Sequence, residues 1–147
     1  MILGNPELDI VLKAVVAAIL GYLVGIERDL AGHVAGARTF SLVAAGAALF
    51  TALGFEVFAP QSSEAASRIA QNILTGVGFL GGGLILREGT SVRGLTTAAG
   101  IWAMAAVGMA TGSGHYLVAV LASVLVFVVL ALGRLFRPGL SGSQDDD

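Results

Sequence analysis

The sequence predicts an all-helical integral membrane protein with five transmembrane helices, its N-terminus outside and its C-terminus cytoplasmic. Only 12% of residues are charged and 56% are hydrophobic, whereas a soluble domain carries about 25% charged residues. The apolar residues fall into five runs of about 16 to 19 residues, close to the roughly 20 that span a bilayer as a helix. The eight lysines and arginines are unevenly placed. Arg28, Arg38, Arg87, Arg93, Arg134 and Arg137 occupy the first link, the third link and the tail, and only Lys13 and Arg68 mark the other side. Positive charge marks the cytoplasmic face, which fixes the orientation.

The first span covers residues 10–26. It follows a start without a basic region or cleavage site, so it reads as a retained span rather than a signal peptide. Its Gly21 and Gly25 form a GxxxG spacing, which lets a second helix come close. A short charged link, ERDLAGHVAGART, leads to the second span, residues 41–59, which Pro60 stops. The connection QSSEAAS then runs into Arg68 and the third span, residues 69–86. Here Gly78 and Gly82 repeat the GxxxG spacing inside the run GVGFLGGG. A polar turn over residues 87–94 makes a tight hairpin with the fourth span, residues 95–110, which leads to a further pair, Gly108 and Gly112. After the turn GSGH, the fifth span, residues 116–133, is a leucine and valine run suited to facing lipid. Residues 1–137 read as one transmembrane domain, and 138–147 as a disordered acidic tail.

Polar residues concentrate between Arg68 and Trp102. Arg68, Gln71, Asn72 and Thr75 recur at helical spacing and share one face. Amides gain nothing from lipid, so this face should point at protein, water or a cavity. With Thr96, Thr97 and Trp102 it is the candidate functional polar site. Arg68 reads either as an interfacial arginine paired with Glu64 or as an anchor for a polar pathway. Trp102 either fills core space or donates its indole N–H to the polar stripe. At the cytoplasmic boundary, Glu27, Arg28, Arg38, Thr39, Arg87 and Arg93 form a candidate charge network. They read as topological anchors or as a buried ion-pair network, with Glu27 the group able to carry a proton or cation. Glu56, near the outer end of the second span, is expected to be wet.

Composition excludes several classes. A net charge of −2 gives nucleic acid no electrostatic hold. With no cysteine there is no thiolate nucleophile, disulfide or cysteine metal site. His33 and His115 fall on opposite sides of the membrane and cannot share a metal. GVGFLG matches GxGxxG but lies in mid-span, where helix packing is its use rather than phosphate binding. No acid–base set or nucleophile elbow is visible, so neither an enzyme nor a cofactor is expected.

Two stretches, IERDLAGHVAGARTFSLVAAGAALF and SRIAQNILTGVGFLGGGLILREGTSVRGLTTAAGIWAMAAVGMATGSGHY, resemble the MgtC/SapB family of bacterial inner-membrane proteins. The resemblance runs from about Gly21 to Tyr116. It implies a helical domain in the plasma membrane, linked in many members to growth under magnesium limitation or survival inside host cells, and acting on membrane energetics or on other membrane proteins. Carried over by motif, it draws attention to Glu27, Arg28, Arg38, Thr39, Arg68, Gln71, Arg87, Arg93, Thr96, Thr97 and Trp102. The expected form is the short, SapB-like one without a C-terminal soluble domain. The family's aspartate before the RIA motif is absent, with Ala65 and Ser67 around that place, which weakens cation binding there. The cysteine that some relatives carry after the tryptophan gives way to Ala103 and Met104. The expected partners are membrane lipid, a second copy through the glycine faces, and a membrane-protein partner; the rival reading is a proton or divalent-cation transporter.

Overall fold

The computed structural model describes residues 5–58 and 63–135. The described residues form a bundle of five helices: α1 (Pro6–Leu30), α2 (Ala37–Leu53), α3 (Ser63–Leu84), α4 (Leu95–Gly112) and α5 (Tyr116–Leu135). A single π-helical turn, Gly54–Phe58, extends α2. A small antiparallel hairpin, β1 (Leu86–Glu88) and β2 (Ser91–Arg93), joins α3 to α4, pairing Arg87 with Val92. The stop at Pro60 and the tail 138–147 lie outside the described residues.

Each helix starts and stops for a local reason. The Asn5 side chain accepts from the Glu7 and Leu8 amides at 2.9 and 3.5 Å, Pro6 opens α1, and Glu7 and Asp9 favour its positive end. The charged sequence Glu27 to Leu30, expected as link, is helical as well, because the last turn closes on itself. Gly32 adopts a left-handed φ of 71°, and His33 N–H donates to the Arg28 carbonyl at 3.0 Å. The amino end of α2 is capped across the link, with Asp29 Oδ2 accepting from the Ala37 amide at 2.9 Å. Polar residues expected to connect the second and third spans instead form the first turn of α3, where Glu64 pairs with Arg68 at 2.8 Å. The third link is a hairpin rather than a simple polar turn. Gly89 (φ 61°) supplies the tight turn, and Gly94 (φ 86°) lies so close to the Leu84 carbonyl that no side chain fits.

Glycine sets the packing. A Cβ on Gly21 would lie 2.5 Å from the Phe40 carbonyl oxygen of α2, and one on Gly25 would collide with the Ala37 backbone. On α4, Gly108 faces the Ala44 carbonyl, and a Cβ on Gly112 would lie 2.5 Å from the Ala48 carbonyl. So α2 is held backbone to backbone by α1 on one side and α4 on the other. Phe40 is fully buried where Gly100 leaves space for its ring. Ala17, Val24, Ala44, Met104 and Val107 complete the core, with α5 laid over α1 and α4. Gly78 and Gly82 differ: a Cβ at either meets nothing within 4 Å. Of the α3 glycines, Gly81 faces α4, its Cβ position 3.6 Å from Ala98 Cβ.

Among the described residues, four helical stretches are long and apolar enough to cross a membrane: Pro6–Leu30, Ala37–Val57, Leu95–Gly112 and Tyr116–Gly133. The expected fifth, α3, has 22 residues, but Glu64, Arg68, Gln71, Asn72 and Thr75 make its amino-terminal part polar.

Replacing Gly108 with leucine should destabilise the purified chain in detergent by at least about 1–3 kcal/mol, because two backbones must separate. The same change at Gly78 should leave its melting temperature unmoved.

Candidate functional site

Charge inside an apolar bundle is expensive unless it is paired. Asp9, Glu27 and Arg28 are buried, and all belong to α1. At 3.6 residues per turn, the 18 positions from Asp9 to Glu27 make five turns, so one face carries a carboxylate at each end, about 27 Å apart. At the amino end, Asp9 pairs with Lys13 at 2.9 Å. At the carboxyl end, Glu27 Oε2 lies 3.6 Å from Arg28 Nη1, an ionic contact too long for a hydrogen bond.

Arg28 is 3% exposed and donates from Nη2 to Thr97 Oγ1 of α4 at 3.4 Å, across 69 positions of sequence. Both Glu27 carboxylate oxygens and Arg28 Nε lack a hydrogen-bond partner. Such a cluster retains unused donors and acceptors in a place where water is scarce. Beside it lies a cavity of about 470 Å³, walled by Glu27, Arg28, His33 and Thr96, with Val129 and Leu130 from α5. The carboxyl ends of α1 and α5 thus meet the amino end of α4. Gly94 against Leu84 brings the end of α3 to the same region, and Gly25 against Ala37 brings the start of α2.

The rest of the expected charge network stays outside this cluster. Arg38 is exposed and Thr39 half-buried. Arg87 donates from Nε to the Gly89 carbonyl at 3.1 Å, and Arg93 pairs with Glu88 at 3.5 Å, both on the exposed hairpin. Glu56 is exposed, as a wet residue would be.

The polar stripe of α3 does not enter the bundle. The Arg68 side chain is 71% exposed in its pair with Glu64, and Gln71 and Thr75 are exposed, with Thr75 Oγ1 donating back to the Gln71 carbonyl at 3.0 Å. Asn72, also exposed, borders an apolar groove of about 550 Å³ between α2 and α3, opposite Gly46 and Phe50. Trp102 is 52% exposed, so it does not fill the core. Thr96 is exposed at the cavity and Thr97 is buried against Arg28. The candidate polar set therefore divides in two: Arg68, Gln71, Asn72 and Thr75 lie on the outer face of α3, whereas Thr96 and Thr97 belong with Glu27 and Arg28.

Sequence reasoning missed two residues. The buried Asp9 had a signal, its spacing of four to Lys13 together with its five-turn register to Glu27. Asp29 had none, since its partner is a backbone amide eight residues on.

A bundle that turns so many leucines, valines and phenylalanines outward is a polytopic membrane protein. The chain belongs to the MgtC family, whose profile matches residues 14–137. It is 45% identical over 118 residues to Protein MgtC of Brucella abortus (strain 2308), covering 80% of this chain and 48% of that protein. Protein MgtC of Salmonella typhimurium (strain LT2) is 41% identical over 124 residues, covering 84% and 52%. An uncharacterized protein of Synechocystis is 45% identical over 117 residues, covering 80% and 49%. The chain spans about half the length of these curated relatives. No solved structure matches it.

Removing one member of a buried ion pair costs about 3–5 kcal/mol, whereas replacing both with apolar groups is cheaper. Arg28→Leu should therefore lower stability in a detergent unfolding titration by that amount, and Glu27→Leu/Arg28→Leu should recover part of the loss.

Proposed function

We propose that this chain is a non-enzymatic protein of the bacterial inner membrane, linked to magnesium limitation or ionic stress, that acts on membrane energetics or on a partner membrane protein. The observation carrying this reading is the direction of the α3 polar face. Gln71 and Thr75, with the open Gly78 and Gly82, face away from their own bundle, and Asn72 is exposed at the edge of the groove between α2 and α3. Amides in hydrocarbon need a protein partner, and small residues let one approach. That face suits contact with another chain better than a pore within this one. Ala17, Val24, Phe40, Met104 and Val107 pack the core with apolar side chains, and the buried carboxylates Asp9 and Glu27 stand at opposite ends of α1 rather than together.

In this reading α3 is a fifth span. At 22 residues it is about 33 Å long, enough to cross the hydrocarbon core. The two arginine-bearing links gather at the end of the bundle that holds Arg28, so that end faces the cytoplasm and the amino terminus lies outside. The first partner for the α3 face is a second copy, since a carboxamide donates and accepts and so complements itself across a twofold axis.

The alternative, a proton or divalent-cation transporter, is favoured by one feature: Glu27 is buried with both oxygens free of hydrogen bonds.

Two experiments test the proposal. Gln71→Leu/Asn72→Leu should leave the melting temperature of the purified chain unchanged yet abolish its support of growth at low magnesium. Unimpaired growth would remove the α3 face from the function. Because the chain has no cysteine, Gly78→Cys gives a single thiol, and the dimer predicts disulfide-linked pairs in oxidised membranes, with Leu42→Cys on α2 as the comparison.

A further inference from the structure

We propose that the cavity between the carboxyl ends of α1 and α5 and the amino end of α4 binds a zwitterionic phosphate ligand bearing a primary ammonium, supplied as the headgroup of a phosphoethanolamine lipid. The placement of the cavity at the inner leaflet rests on the topology proposed above; the chemistry of the site does not.

The first amides of an α-helix have no partner within the helix and carry partial positive charge. In α4 no side chain caps them, because the capping position is Gly94, and the first helical bond there is Ala98 N–H to the Gly94 carbonyl at 2.9 Å. Thr96, in that first turn, lies in the cavity wall. Arg28, also in the wall, adds a full positive charge at the same helix end and keeps an Nε–H with no acceptor. A cation set at the positive end of a helix is unfavourable unless an anion joins them. Phosphate supplies that anion and the missing acceptors.

The negative side is equally incomplete. Glu27 is 8% exposed, stands 3.6 Å from Arg28, and accepts a hydrogen bond at neither oxygen. A phosphate alone would leave it worse off by repulsion. A primary ammonium brings three N–H donors and a compensating charge. Ethanolamine phosphate carries both groups a few bonds apart, as Glu27 and Arg28 stand side by side in the cavity wall.

The remaining wall says where the ligand comes from. Leu30, 72% exposed, and Val129, 58% exposed, are apolar and lie toward the carboxyl ends of α1 and α5, with the buried Leu130 behind them. The polar pocket therefore continues into lipid-facing surface, as a headgroup site with acyl chains running along α5 requires. A volume of about 470 Å³ is in the range of small-molecule sites.

The test uses the purified full chain, delipidated in detergent, with lipid binding read by native mass spectrometry. Phosphatidylethanolamine, phosphatidylcholine and phosphatidylglycerol of identical acyl chains are compared. Choline keeps the charge but has no N–H, and glycerol has no cation. The expected result is a preference of about tenfold or more for the ethanolamine lipid, the ratio that loss of one charge-assisted hydrogen bond produces. Gly133→Phe should abolish it. A Cβ there meets nothing within 4 Å, and Gly133 lines the cavity, so this change fills the site without disturbing the fold. The ligand-free melting temperature should be unchanged.

Equal binding of the three lipids with no binding of free phosphoethanolamine, or a preference that survives Gly133→Phe, would overturn the site. Binding of free phosphoethanolamine without preference among lipids would overturn the lipid source and keep the phosphate and ammonium chemistry. Micellar binding does not depend on the α3 face, so Gln71→Leu/Asn72→Leu should bind normally whatever its effect on growth. Labelling of His33→Cys from the cytoplasmic side reports separately on the orientation.

Discussion

Backbone contact at four glycines is the constraint on which the rest of this structure depends. In lipid, apolar side chains gain little by touching one another, so helices associate through close packing and polar contacts. Gly21 and Gly25 bring α1 onto α2, and Gly108 and Gly112 bring α4 onto the other side of α2. With α2 held between them, the carboxyl end of α1 has no choice but to lie beside the amino end of α4. The Arg28 to Thr97 contact follows from that geometry. The buried ion pair is thus positioned by the glycines, and the cavity next to it is what remains when three helix ends meet without a side chain filling the gap.

The same spacing has two different outcomes within one chain. Gly108 and Gly112 are filled by backbone from α2, whereas Gly78 and Gly82, also four apart, face open space. The difference lies in the neighbours. Around α4 the surface is Ala44, Ala47, Ala48 and Thr51, small enough to seat a second helix. Around α3 the outer surface carries Phe79, 82% exposed, beside Gln71 and Thr75. In the proposed five-span reading, a helix with amides and glycines turned outward is unfinished as a monomer in lipid, and an interaction surface gives those groups a use. In the proposed reading, function divides between the end of the bundle that holds the buried charge and the exposed face of α3 that meets other molecules.

Much of the fold was legible in the sequence because apolar length and charge placement are local properties. The spans α1, α2, α4 and α5 stand out as apolar runs between polar links. Their ends were harder to read: Asn5 and Asp29 cap through hydrogen bonds that extend α1 and α2 into charged sequence, and Glu64 with Arg68 makes helix of a stretch that looks like a link. The hairpin 86–93 was invisible because three-residue strands have no period to detect. For the candidate site, helical spacing showed that Arg68, Gln71, Asn72 and Thr75 share a face, but spacing cannot say which way a face points. Nor could it pair Arg28 with Thr97, 69 positions away, or show that Asp9 is buried while Glu64 is not. Those facts belong to packing.

In the proposed reading the polar face of α3 meets partners and does not line an ion path. Ion flux in sealed proteoliposomes is the most direct test, using purified protein shown to be folded and inserted, with fluorescent reporters of internal pH and magnesium. Flux no greater than in empty liposomes is expected. Flux well above that level, and lost in Arg68→Ala, would contradict that reading and make the α3 stripe a conduction path.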